Sequence, residues 1–156
     1  MPFTRHVLAT LPTIVGTSSI HAKGQPSYYD GLVYTHAILL GVAFVIAFPL
    51  GVISLRWKWR IAFTSHWILQ AIATAAAYIG LAIAITLSVV GIEYSDFDQG
   101  HQILGLIVVG LLSLQVVFGY VHHQKYKKVG HRTVPSYLHI GLGRIVIYVG
   151  MVTAIL

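Results

Sequence analysis

The chain has no cysteine among its 156 residues and only four acidic side chains. Without thiols there can be no disulfide, thiolate ligand, iron–sulfur cluster or cysteine nucleophile. Charged residues are 9% of the whole, where a typical soluble domain has roughly 25%. At 56% hydrophobic, the chain cannot cover a water-facing globule, and its solvent is lipid. The net charge of +6 would point to nucleic acid if its cations clustered on a soluble surface. In a membrane chain their location has to be read first, and no nucleic-acid partner is expected. What the sequence does have is histidine, nine copies of it, a frequent ligand of metals and of haem iron.

A helix crossing a hydrocarbon core about 30 Å thick needs roughly 20 mostly apolar residues, and the sequence offers four such runs. They lie at Gly31 to Leu55, Ile61 to Ile92, Gly100 to Val121 and Ser136 to Leu156. The fold expected is all-α, an integral membrane four-helix bundle, with Pro49 a candidate kink in the first span. Let side A be the face where the first span begins and side B the other. The two B loops carry Arg56, Lys58, Arg60, Lys125, Lys127, Lys128 and Arg132, while the A loop carries Glu93, Asp96 and Asp98. The positive-inside rule makes B cytoplasmic and puts both chain ends on the outer or lumenal side. Residues 1–29 read as a leader or an extracytoplasmic stub, and residues 30–156 as the transmembrane domain.

Each span carries one histidine a turn or two inside its first end: His36, His66, His101 and His139. Because chain direction alternates, His36 and His101 share a depth near side A, and His66 and His139 share one near side B. At 1.5 Å of rise per residue the two layers are on the order of 20 Å apart. One intramembrane histidine is readily explained by a hydrogen bond to a neighbouring helix; four at matched depths are not. Two imidazoles projecting from different helices onto opposite faces of a porphyrin give bis-histidine ligation, and a four-helix bundle supplies that geometry. The spans hold no carboxylates of the kind that would suit a di-metal or proton-pumping site. On the third span His101, Gly105, Val108, Leu112, Gln115 and Gly119 follow helical spacing along one face, and on the second His66, Ala73, Ala77, Gly80 and Ala84 do so. Such small side chains leave room for a flat ligand, and they also suit close helix packing.

Arg144 lies deep enough in the last span to need a partner, which a haem propionate would provide; snorkelling to lipid is the plain alternative. His122 and His123, closing the third span, read as interfacial, and neither they nor His6, His21 or His131 are taken as ligands. Trp57 and Trp59 alternate with Arg56, Lys58 and Arg60, which describes a membrane anchor and equally a shallow cationic site for an anionic reductant such as ascorbate. The donor-site candidates are Lys58, Arg60 and Lys125. Two further classes stay open on these residues: a metal or proton transporter that uses the intramembrane histidines, and a redox-inert membrane anchor subunit.

The run His101-Gln-Ile-Leu-Gly105, then Gln115 and Gly119, His122-His123, Tyr137-Leu-His139 and Leu142-Gly143-Arg144 resembles the eukaryotic cytochrome b561 family. The likeness covers about Asp30 to Leu156 and is nearest the fungal members joined to an extracytoplasmic DOMON domain. The resemblance implies that His36 and His66 complete the family's four ligands, paired first with third and second with fourth. It implies two b-type haems, one near each surface, in a transmembrane oxidoreductase that moves single electrons. In ascorbate-using relatives the donor is cytoplasmic ascorbate and the acceptor monodehydroascorbate or ferric iron outside, with an extracytoplasmic redox partner in some. Entry at His66 and His139 and exit at His36 and His101 rest on the resemblance alone. Family members usually carry one or two more helices, and the thirty residues ahead of the first span are too few for a DOMON domain.

Overall fold

The computed structural model describes residues 28–57, 60–90 and 99–155. Residues 1–27 of the expected leader, Lys58, Trp59, Glu93, Asp96 and Asp98 lie outside these. Four helical spans are present, and among the described residues there is no strand. The first span is made of α1 (Tyr28–Gly41), a π-helical stretch (Val42–Ala47) and α2 (Phe48–Ser54). Then follow α3 (Ala62–Val90), α4 (Gly100–Val129) and α5 (Val134–Ile155). All four spans are long and apolar enough to cross a bilayer.

Pro49, the expected kink, stands in the first turn of α2, directly after the π-helical stretch. Proline brings no N–H and its ring crowds the carbonyl four residues back, so the chain widens by one residue per turn just ahead of it. The third span is longer than its apolar run. Gln124 to Lys128 continue α4 because glutamine and lysine are good helix formers, and the helix stops only at Gly130, whose φ of 70° suits glycine. His122 and His123 are therefore helical.

The outward surface is apolar, with Ile38, Ile72, Val117 and Tyr148 among many large exposed side chains, as lipid requires. The small core is built from Ala43, Phe44, Phe48, Ala73, Ala77, Val108, Leu112 and Val146. Ala73 and Ala77, and Val108 and Leu112, belong to the faces singled out in the sequence, and those faces look inward. Packing divides the bundle into two hairpins. The first span lies along α3, and α4 lies along α5, whereas contacts between the two hairpins are sparse.

Glycines set how closely the helices of each hairpin approach. A Cβ on Gly80 would come 2.7 Å from Leu40, and one on Gly51 would come 2.7 Å from the Gln70 amide. In the other hairpin, Gly119 lies against the His139 ring and Gly143 against the Gln115 amide. A single glycine notch joins the hairpins, where the ring of Phe44 fills the space beside Gly150.

Candidate functional site

The four span histidines sort into the two expected layers. On side A the His36 and His101 rings face each other with centroids 6.1 Å apart and planes at 70°. Their helices, α1 and α4, are not neighbours in the bundle, so the rings meet across its interior. On side B, His66 lies on α3 and His139 on α5, again helices that do not pack together. Each hairpin thus contributes one histidine to each layer.

Three of these rings are held by the same device. His36 Nδ1 lies 2.9 Å from the Gly80 carbonyl, His66 Nδ1 2.8 Å from the Gly51 carbonyl and His139 Nδ1 3.3 Å from the Gln115 carbonyl. A carbonyl only accepts, so in each case Nδ1 is the N–H and Nε2 keeps its lone pair. A histidine that binds a metal through one nitrogen commonly donates from the other in this way, which fixes the ring and raises its basicity. In every case the acceptor belongs to the other helix of the same hairpin. The first hairpin thereby orients both of its span histidines, and the second orients His139.

These residues fit a haem. Two metal–imidazole bonds of about 2 Å, with each ring centre about 1 Å behind its nitrogen, separate axial imidazole centres by roughly 6 Å. The His36–His101 separation matches that span. Among the described residues no three of His, Asp or Glu converge, so each layer offers two donors. Two is the number left to the protein when a porphyrin fills four positions on the iron. A cleft opens beside the side A pair, lined mainly by Ala37, Leu40, Phe44, Gly105, Val108 and Gly150. The lining is apolar and small, as the flat face of a porphyrin requires.

His122 has a place that its interfacial assignment did not foresee. Its ring lies 5.9 Å from that of His139 with planes at 20°, and its Nδ1 is 2.6 Å from the Ser136 hydroxyl. The separation alone would suit a ligand pair. The helices do not, because α4 and α5 pack along their length and the His139 ring already rests on Gly119, leaving no gap for a porphyrin between them. His123 stacks on Phe63 of α3 at 4.7 Å, tying the hairpins together at side B.

Arg144 is exposed on α5, and Arg60 and Lys125 are exposed at side B. Gln70 was missed in the sequence. It sits one helical turn beyond His66 and donates to the Phe48 carbonyl at 3.2 Å, and the spacing of four from a candidate ligand was the available signal. Phe44 was missed as well, since its inward position between the two layers depends on the π-helical stretch.

Comparison with known proteins gives one result. The sequence model described as Eukaryotic cytochrome b561 matches residues 35–156, a stretch that includes all four span histidines. No curated protein and no solved structure matches the chain.

Proposed function

The chain belongs to the eukaryotic cytochrome b561 family, whose members carry electrons across membranes on b-type haem, and on that premise we propose that it holds two such haems. His36 and His101 would hold the haem near side A, and His66 and His139 the one near side B. Bound haem supplies a one-electron ferric–ferrous couple at each layer. The protein supplies the rest: Nε2 donors, Nδ1 hydrogen bonds that orient His36, His66 and His139, and apolar surroundings. The observation that carries this reading is the facing of His36 and His101 across the bundle at axial-ligand spacing.

Side B is the cytoplasmic face in this reading, because the basic residues Arg56, Arg60, Lys125, Lys127, Lys128 and Arg132 gather there. Exposed Arg60 and Lys125, with Lys58, attract an anionic reductant, for which ascorbate has suitable charge and chemistry. Electrons enter at the side B pair and leave at the side A pair, toward monodehydroascorbate, ferric iron or an extracytoplasmic redox partner. Arg144 neutralises a haem propionate.

A reduced-minus-oxidised absorption spectrum of the purified protein, with haem quantified per chain, tests the proposal. Two haems per chain are expected, with one remaining in His66→Ala and one in His101→Ala. A colourless protein carrying stoichiometric zinc or copper would overturn the reading in favour of metal transport.

A further inference from the structure

Gln115 and His139 are joined twice. The Gln115 Nε2 donates to the His139 backbone carbonyl at 2.8 Å, and His139 Nδ1 donates to the Gln115 backbone carbonyl at 3.3 Å. The amide orientation follows from the first bond, since flipping it would set two carbonyl oxygens against each other. Two glycines make the arrangement possible. A Cβ at Gly143 would stand 2.5 Å from Gln115 Nε2, and one at Gly119 would stand 2.9 Å from the His139 ring.

An amide inside a bilayer is expensive, because lipid offers it nothing to bond. Gln115 bears this cost in full at one atom: its Oε1 is buried without a hydrogen-bond partner. Polar residues serve as glue between membrane helices, but the gain is modest. Glue alone would be served by a bond to any carbonyl of α5. Here the bond falls on the carbonyl of His139 itself and is returned by that residue's own ring nitrogen. The side chain fixes the level of α5 against α4, and the backbone of the same residue fixes the rotation of the imidazole.

We propose that Gln115 is a positioning residue that sets the orientation of the His139 imidazole and, through it, the electronic properties of the side B haem. The proposal rests on His139 being a ligand of that haem. When Gln115 is lost, its backbone carbonyl remains, but the two helices are free to slide. The His139 N–H bond then lengthens and the imidazole becomes a poorer electron donor. Less electron density on the iron favours the ferrous form, so the potential of that site rises.

The experiment compares haem-loaded His139→Ala, Gln115→Leu, Gln115→Glu, Gly143→Ala and Gly141→Ala by haem content, potentiometric titration and low-temperature electron paramagnetic resonance. His139→Ala identifies the signal of the side B site as the one that disappears. Gln115→Leu is expected to keep two haems, to move the largest g value of the side B signal and to shift its potential upward, leaving the other site unchanged. Gly143→Ala is expected to do the same, because its methyl group displaces only the mobile end of the Gln115 side chain. Gly141→Ala, where a Cβ meets open space, is expected to match the parent protein. Gln115→Glu keeps the chain length and, when protonated, a donor, and is expected to recover part of the parent signature. If His139→Ala keeps both haems, the ligand reading falls and the proposal with it. If His139→Ala loses one haem while Gln115→Leu and Gly143→Ala leave both signals and both potentials unmoved, only the role of Gln115 falls. Should Gln115→Leu lose its haem outright, Gly143→Ala decides: a shifted side B signal supports the proposal and an unshifted one overturns it.

Discussion

The imidazoles of His36 and His101 meet at 6.1 Å although the helices that carry them do not pack against each other. A ligand pair on two touching helices would leave no space for a macrocycle. A pair reaching across the bundle from opposite hairpins does not require its helices to touch, and the glycines of each hairpin keep its own two helices close.

Histidine substitutions should therefore combine by layer and not by helix. His36→Ala and His101→Ala are each expected to remove one haem, and the double variant no more than one. His36→Ala combined with His66→Ala, which share a hairpin, is expected to remove both. Haem per chain, measured as the pyridine haemochrome, checks this, and an additive loss in the same-layer double variant would contradict the pairing.

A larger residue at Gly80 is expected to be destabilising while Leu40 is present. Gly80→Ala should cost about 1 kcal/mol, the low end of the ~1–3 kcal/mol typical of overpacking, and should loosen the His36 hydrogen bond to the Gly80 carbonyl. Adding Leu40→Ala is expected to recover much of this, a coupling that unfolding of the purified protein in mixed micelles can measure. Equal and additive losses would show that the two side chains do not meet.

Phe44 fills the notch at Gly150, the glycine contact that joins the hairpins. Truncating it to alanine is expected to destabilise the bundle by about 2 kcal/mol, below the ~3–5 kcal/mol found for such changes in water-soluble cores. Lipid is as apolar as the protein interior, so lost packing is the whole effect. Denaturant titration in detergent reads it, and a neutral result would mean that the hairpins separate without cost at this level.

Charge reversal at Arg60 and Lys125 together is expected to slow reduction by ascorbate about fivefold at low ionic strength, the size of two exposed charges worth about 0.5 kcal/mol each. The difference should fade in about 1 M salt, where the screening length is about 3 Å, and should be absent with a neutral quinol as reductant. Rates are followed by stopped-flow absorbance, and a salt-independent defect would speak against electrostatic docking.

The spans and the depth of the four histidines were legible in the sequence because each rests on a local quantity, the apolar run and the rise per residue. The inward faces of α3 and α4 were legible for the same reason, as Ala73, Ala77, Val108 and Leu112 follow helical periodicity. The end of α4 was not, since Gln124 to Lys128 lose apolar character while keeping helix propensity, and hydropathy reads only the first. The widening of the first span before Pro49 and the clasp of Gln70 on the Phe48 carbonyl were beyond reach as well. Proline marks a break without specifying its form, and the clasp depends on how closely α3 approaches α2 at Gly51, which no local pattern reports.

The division into two hairpins has a consequence for biogenesis. Every Nδ1 anchor described above closes within a hairpin, so His36 and His66 in one half and His139 in the other can be oriented as each half leaves the translocon, already aimed at a partner not yet there. The cofactor is then the clasp that draws the halves into one body. Two hairpins made as separate polypeptides, divided between α3 and α4, are each expected to be colourless and to become coloured when produced together.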